Sequence, residues 1–451
     1  MSKQALVTLF YVFLMWSQIV ICQSQHEKVI FETKEIFPLQ KLHVHASTIV
    51  ELPNGDLLAA WFQGSGERQA DDVVIMGSRL RKGQPNWSVP FVMADVPGFP
   101  DINPVLFIDT RNRLWLIWYT VIAHQWETSL LKYRVSENYM ILEGPPKWLW
   151  QDVLLVKPGS PAERGIQPDD RFVLSVKRQF DDYTQYLESH HYFTDNEITA
   201  KEYAQKWQEH VKDILAKANG ENMIRKGREY DAKGKSITKS LGYPYFRRMG
   251  WQTKNKPVIL DGKRLILPLY SDGLDFSLMA ITDDLGENWK FSESLAGAAN
   301  IQPSIAIKSD GTLIAYMRDN GPPPKRLHIS SSTDRGMTWS PVQDSELPNP
   351  GSGADLVTLK NGHWILVYND TEQGRNSLAV SLSTNDGKSW DQTRRLELDT
   401  RENNATRSHY PSIIQGRDGS LHVVYSYHHN DRNGGPHKTI KYAHFNEEWV
   451  K

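Results

Sequence analysis

The chain has 451 residues, of which 39% are hydrophobic and 23% charged, enough apolar material to bury a large core. Its 52 Lys and Arg stand against 53 Asp and Glu, and a net charge of -1 excludes a chain-wide electrostatic footprint for nucleic acid or an anionic membrane. A single Cys excludes a disulfide framework and a cysteine-based zinc site, while 15 Trp, 18 Tyr and 15 Phe beside 30 Gly and 24 Pro suit strands joined by many tight turns. From the N-terminus, Lys3 precedes an apolar run from Ala5 to Ile21, and small residues follow at Cys22 and Ser24. This pattern reads as a signal peptide over residues 1–24 and predicts an exported protein, periplasmic or secreted, with no membrane contact once the signal is removed. A membrane anchor is the competing reading, and lipidation at Cys22 is disfavoured by the bulky Ile21 before it.

The remainder, 25–451, reads as one domain built by repetition. Six turns precede apolar strands: Asn54-Gly55, Asn112-Arg113, Asp261-Gly262, Asp310-Gly311, Asn361-Gly362 and Asp418-Gly419. Asn-Gly and Asp-Gly between apolar runs predict hairpins, through type I′ turns. A second pattern recurs in three of the units. Thr282-x-Asp284-x-Gly286-x-x-Trp289, Ser332-x-Asp334-x-Gly336-x-x-Trp339 and Ser383-x-Asn385-x-Gly387-x-x-Trp390 place their glycines about fifty residues apart, the length of a four-stranded blade. The acidic or amide side chain sets a turn, Gly supplies an open dihedral and Trp fills the gap between blades. The expected fold is therefore all-β: a β-propeller of six blades. Asp169-Asp170 offers a possible seventh turn, but Phe172, Val173, Val176, Phe180, Tyr183 and Leu187 recur at helical spacing and predict a helix there. A helical insertion of about 157–248, with a second apolar stripe at Trp207, Val211, Ile214 and Leu215, is expected either to pack on a blade or to close the pocket mouth.

The three boxes resemble those of the sialidase-like Asp-box (BNR repeat) propeller superfamily, over roughly residues 42–449 apart from the insertion. They define a fold and leave function open.

In a propeller the innermost strands line the axis, so the polar residues at their entries should converge. These are His45, Asn103, Gln302 and Tyr410, the last three directly followed by Pro. Arg68 and Asp72 follow the second strand of the first unit, Arg318 that of the fourth, and Arg375 that of the fifth. Arg407 and His409 precede Tyr410, and Trp251 stands where the insertion rejoins the sheet. Arginines in a neutral protein fit a small anionic ligand, because the guanidinium fork binds carboxylate or sulfate in two places. Any one of them could instead pair with a neighbour, Asp319 beside Arg318 being the obvious case.

The resemblance implies three arginines on a substrate carboxylate, a Tyr nucleophile and an Asp acid/base. Tyr410 resembles that Tyr, Arg318 one of the arginines, and Asp71 or Asp72 the acid. The first unit departs from the pattern: His45-Ala46-Ser47-Thr48 stands where the superfamily has Arg-Ile-Pro. His, Tyr and Arg together suit β-elimination on a uronic acid, with His45 or Tyr410 taking the C5 proton, the other protonating O4, and Arg318, Gln302 or Asn103 neutralising the carboxylate. This set resembles the propeller lyases and oligosaccharide dehydratases of ulvan breakdown. The expected function is therefore a carbon–oxygen lyase, either dehydratase or lyase, acting on the terminal uronate of an anionic oligosaccharide. An exo-sialidase and a non-catalytic glycan-binding propeller are the alternatives. His45, Tyr410 and Arg318 are the expected catalytic residues, and Arg68, Asp72, Asn103, Gln302, Arg375, Arg407, His409 and Trp251 the expected binding residues. His190-His191 and His428-His429 read as solvated pairs, since neighbours on a strand face opposite ways. No cofactor or metal motif is recognised, and a monomer is expected.

Overall fold

The computed structural model describes residues 28–160, 169–190, 197–219, 229–230, 236–237, 248–430 and 436–451. The expected signal segment lies outside them. Six four-stranded antiparallel sheets follow one another along the chain, at 43–94, 101–153, 258–291, 300–348, 355–398 and 407–445, and are numbered here as blades 1 to 6. Blade 6 takes its outermost strand from the N-terminal Phe31–Glu35, paired antiparallel with Pro436–Phe445. That exchange closes the ring with hydrogen bonds between the two ends of the chain. Phe31 stacks on Trp449 at 4.4 Å and fixes the same seam.

Of the six turns, only Asp261-Gly262 has two consecutive residues in the left-handed region. The others carry one such residue each (Gly55, Asn112, Gly311, Gly362 and Gly419), so a tight turn closed by a single left-handed residue replaces the expected type I′ form. The three boxes behave as local chemistry requires. Asp284 accepts from the Asn288 amide at 2.9 Å, Asp334 from Thr338 at 2.9 Å and Asn385 from Ser389 at 3.0 Å. A Cβ on Gly286 would stand 2.4 Å from the Trp115 ring of blade 2, so the box glycine permits blade-to-blade contact as well as an open dihedral. Trp390 reaches Tyr316 of the preceding blade at 5.9 Å.

The insertion between blades 2 and 3 forms two helices, α1 (Arg171–Ser189) and α2 (Glu197–Asn219). Asp170 caps α1 by accepting from the amides of Phe172 and Val173, so the Asp-Asp pair starts a helix rather than a seventh blade. Phe180 and Tyr183 pack on Trp207 of α2 at 5.7 and 5.2 Å. The pair reaches past one blade: Gln179 accepts from the Ala296 amide in the link between blades 3 and 4, and the Tyr186 hydroxyl accepts from the Asp344 amide of blade 4. Among the described residues no helix is long and apolar enough to cross a membrane.

Candidate active site

The inner strands of blades 1, 2, 4 and 6 share one irregularity. Each breaks register near its start, four paired positions before its end, at His45/Thr48, Ile102/Val105, Ile301/Ser304 and His409/Ser412. Within each bulge one residue takes a left-handed φ: Ala46 at 51°, Asn103 at 48°, Gln302 at 55° and Tyr410 at 55°. Asn tolerates this region, but Gln and Tyr do not adopt it readily, and such strain is typical of sites whose surroundings impose it. The bulges turn Asn103, Gln302 and Tyr410 onto the axis. In blade 1 the matching residue is Ala46, and His45 stands one position earlier, level with His409. His45 therefore enters the site from a different register than its place in the sequence suggested.

These residues line an axial cavity of about 410 Å³, together with Phe62, Glu67, Arg68, Tyr119, Trp126, Tyr270, Asp272, Arg318, Asn320 and Arg375. Larger hollows lie elsewhere on the molecule. Tyr410 is its centre. Its hydroxyl oxygen accepts from Arg318 Nη1 at 2.7 Å and from Gln302 Nε2 at 3.0 Å. Arg318 Nη2 donates to Asn320 at 2.9 Å, which fixes the plane of the fork. Asp319 does not compete for it, being held by Lys325 at 3.1 Å and by the amides of Gly321 and Arg326. The Tyr270 hydroxyl accepts from Asn103 and Gln302 at 3.2 and 3.3 Å. Arg375 lies over the Tyr410 ring at 5.7 Å while donating to the Gly351 carbonyl.

The His45 ring packs against Tyr410 at 4.2 Å and His409 at 4.6 Å. Ser426 Oγ accepts the Ala46 amide and pairs with His45 Nδ1 at 2.8 Å, leaving Nε2 without a protein partner among the described residues. Burial, reinforced by His428, His43 and Arg375, pushes the His45 imidazole well below its ordinary range, so the ring is neutral. Glu67 faces the same space. Burial alone would raise its carboxyl, but the His43 hydrogen bond at 2.9 Å, together with the charges of His43, Lys438 and Arg68, outweighs that and leaves it below the usual range. Asp272 is pushed up by burial, with Arg318 opposing, and Asp275 beside it is raised to about 6 by burial and by Asp272.

Beneath Tyr410, Lys254 is enclosed and donates to Asn255, the Ala354 carbonyl and the Pro411 carbonyl. Burial lowers its ammonium to about 7, with Asp355 opposing. The unfolded chain then holds a proton between pH 7 and 10 that the folded chain lacks, so stability should rise with pH across that window. Lys254→Met should flatten this part of the melting-temperature profile; an unchanged slope would assign it to other groups.

The expected binding residues thus separate. Asn103, Gln302, Arg68 and Arg375 line the cavity, Arg68 resting on Trp126 at 4.9 Å. His409 is buried directly behind His45. Asp72 lies in an exposed loop, its carboxylate occupied by the Ser65 amide and hydroxyl, and Arg407 is exposed at the start of its strand. Asp71 pairs with His124 at 2.6 Å on the surface. Trp251 is 1% exposed and packs near Phe276 in the core, away from the cavity. Trp251→Ala should therefore cost about 3–5 kcal/mol of stability and leave substrate affinity intact, which melting curves and KM together would check. His428 corrects the solvated-pair reading. It is 4% exposed, because its neighbours come from the adjacent strand and from blade 1 rather than from His429. Tyr119, Tyr270 and Asp272 were not singled out, although each lies near or just past the end of a second strand, as Arg318 lies near the end of its own.

The fold and cavity define an axial-site propeller whose ligand groups come from several blades. The chain belongs to the BNR repeat-like domain family, which matches residues 55–218 and 238–423. It is 28% identical over 129 residues to a sialidase of Bacteroides fragilis, a match covering 27% of this chain and 23% of that one, so less than a quarter of that relative's length is matched. The NanB sialidase of Streptococcus pneumoniae superposes with a TM-score of 0.56 at 14% identity, covering 93% of this chain and 71% of that one. An α-L-arabinofuranosidase of Fusarium graminearum superposes with a TM-score of 0.54 at 12% identity, covering 94% and 99%. At these identities the structural likeness concerns the fold.

Proposed function

We propose that the cavity binds the carboxylated terminal sugar of an anionic, ulvan-like oligosaccharide and eliminates the group at its C4. The observation that carries this reading is the environment of Tyr410: its oxygen accepts from a guanidinium and an amide, and no carboxylate is among its hydrogen-bond partners in the described residues. Two donors converging on one oxygen stabilise negative charge there. Such a group suits proton abstraction. Tyr410 takes the C5 proton, the C5–H electrons form the C4=C5 double bond, the C4–O4 bond breaks, and the proton passes to O4. Arg318 and Arg375 line the cavity beside Tyr410 and would neutralise the carboxylate, which acidifies C5, while the neutral His45 ring packs on Tyr410. The signal-like leader suits a protein exported to meet such a glycan.

A second reading, sialidase-type hydrolysis with Tyr410 as nucleophile, is favoured by the three guanidiniums of Arg68, Arg318 and Arg375 at one cavity and by the sialidase relatives. Like elimination, it requires Tyr410 to give up its own proton first, and the groups against the hydroxyl are Gln302 and Arg318 rather than a carboxylate. Incubation with uronate oligosaccharides and, separately, with sialyl conjugates separates the two. An unsaturated product detected by ultraviolet absorbance supports elimination, and released sialic acid without it supports hydrolysis.

A further inference from the structure

The chain brings three histidines together that are distant in sequence. His45, on the inner strand of blade 1, meets His409 and His428 of blade 6, and one ring nitrogen from each lies within 4.8 Å of the others. All three are buried, at 7%, 4% and 4% exposure. The rings stand edge to face, 4.6 Å between His45 and His409 and 4.7 Å between His409 and His428. Among the described residues no carboxylate is hydrogen-bonded to any of the three rings.

The second nitrogens are tethered. His428 Nε2 donates to the Val44 carbonyl at 3.0 Å, which leaves Nδ1 as the unprotonated nitrogen. His45 Nδ1 is occupied by Ser426 Oγ. A hydrogen bond on the far nitrogen to a carbonyl or hydroxyl is how metal-ligating imidazoles are normally oriented. An independent observation comes from His409, whose Nδ1 is buried with no hydrogen-bond partner among the described residues. A buried, unpaired ring nitrogen beside two oriented rings is costly unless something occupies the space.

We propose that His45, His409 and His428 form a binding site for a divalent transition-metal ion of the zinc type, with an open coordination position toward the axial cavity. Three neutral imidazoles suit such an ion, and three protein ligands with one vacant position are the pattern of sites that bind substrate or water. Nitrogens on one tetrahedral ion lie roughly 3.4 Å apart, so small side-chain rotations close the set. The position faces the cavity because His45 lines it beside Tyr410. The ligand class for that position is an oxygen donor, and in the elimination reading it is the sugar carboxylate. That assignment of the fourth ligand rests on the elimination reading; the metal site itself does not.

Titration of the metal-stripped full chain with Zn²⁺, followed by calorimetry, and with Co²⁺, followed by its visible absorption, tests the proposal without substrate. One equivalent is expected to bind, with the intense bands of four-coordinate cobalt and a raised melting temperature. His409→Ala should weaken binding by at least about 100-fold, since loss of even an outer-shell partner costs 10–100-fold. His409→Gln, which preserves volume, guards against a simple folding failure and should weaken it likewise. The proposal is overturned if stoichiometric binding is absent, if it survives in the folded variant, or if the cobalt spectrum is that of a six-coordinate ion. Metal binding without uronate elimination would retain the site and remove only the role given to its fourth ligand.

Discussion

Tyr410→Phe is expected to lower turnover by roughly 10³-fold while leaving the fold and the melting temperature nearly unchanged. The substitution removes one oxygen and keeps the ring that packs on His45 at 4.2 Å and lies under Arg375. It also leaves Gln302 a remaining acceptor, since its amide nitrogen reaches the Tyr270 hydroxyl as well. Arg318 keeps Asn320. What disappears is the atom on which both donors converge. Near-normal turnover in a folded Tyr410→Phe protein would remove Tyr410 from the proton path.

The second large effect is expected at Arg318. Arg318→Met deletes a charged donor at 2.7 Å from the Tyr410 oxygen but retains the stem that fills the space. Turnover should fall by about 10²-fold or more, because negative charge on the Tyr410 oxygen in the transition state loses a charged donor. The split between kcat and KM distinguishes two roles. A rise in KM with kcat unchanged would make Arg318 a holder of the substrate carboxylate alone. Arg318→Lys should recover little, since a single ammonium cannot span Tyr410 and Asn320 together.

The fold was legible because its signals are local. A box such as Ser332-x-Asp334-x-Gly336-x-x-Trp339 contains its own hydrogen-bond partners within a few residues, so the sequence shows the whole device. The α1 periodicity was legible for the same reason, and it excluded a seventh blade. The axial convergence of Asn103, Gln302 and Tyr410 was readable from polar residues before Pro at matched positions. Their left-handed φ was not, because a bulge is set by pairing with the next strand. The same bulge brings His409 and Tyr410, adjacent in sequence, to the same neighbour, although a regular strand would send them to opposite faces. His428 was missed because its partners lie 19 residues away and across the ring closure. Nothing in the sequence separates Tyr119 and Tyr270 from core aromatics, and their place in the cavity follows from pairing near the ends of the second strands.

The most direct measurement is a parallel assay of the purified full chain on uronate-terminated anionic oligosaccharides and on sialyl conjugates, with mass spectrometry of every product. Elimination predicts an unsaturated terminal uronate, ultraviolet absorbance that rises with time, no incorporation of solvent oxygen into the sugar, and no release of sialic acid. Release of a saturated sugar carrying solvent oxygen would contradict it in favour of hydrolysis, and binding with neither product would leave a glycan-binding propeller.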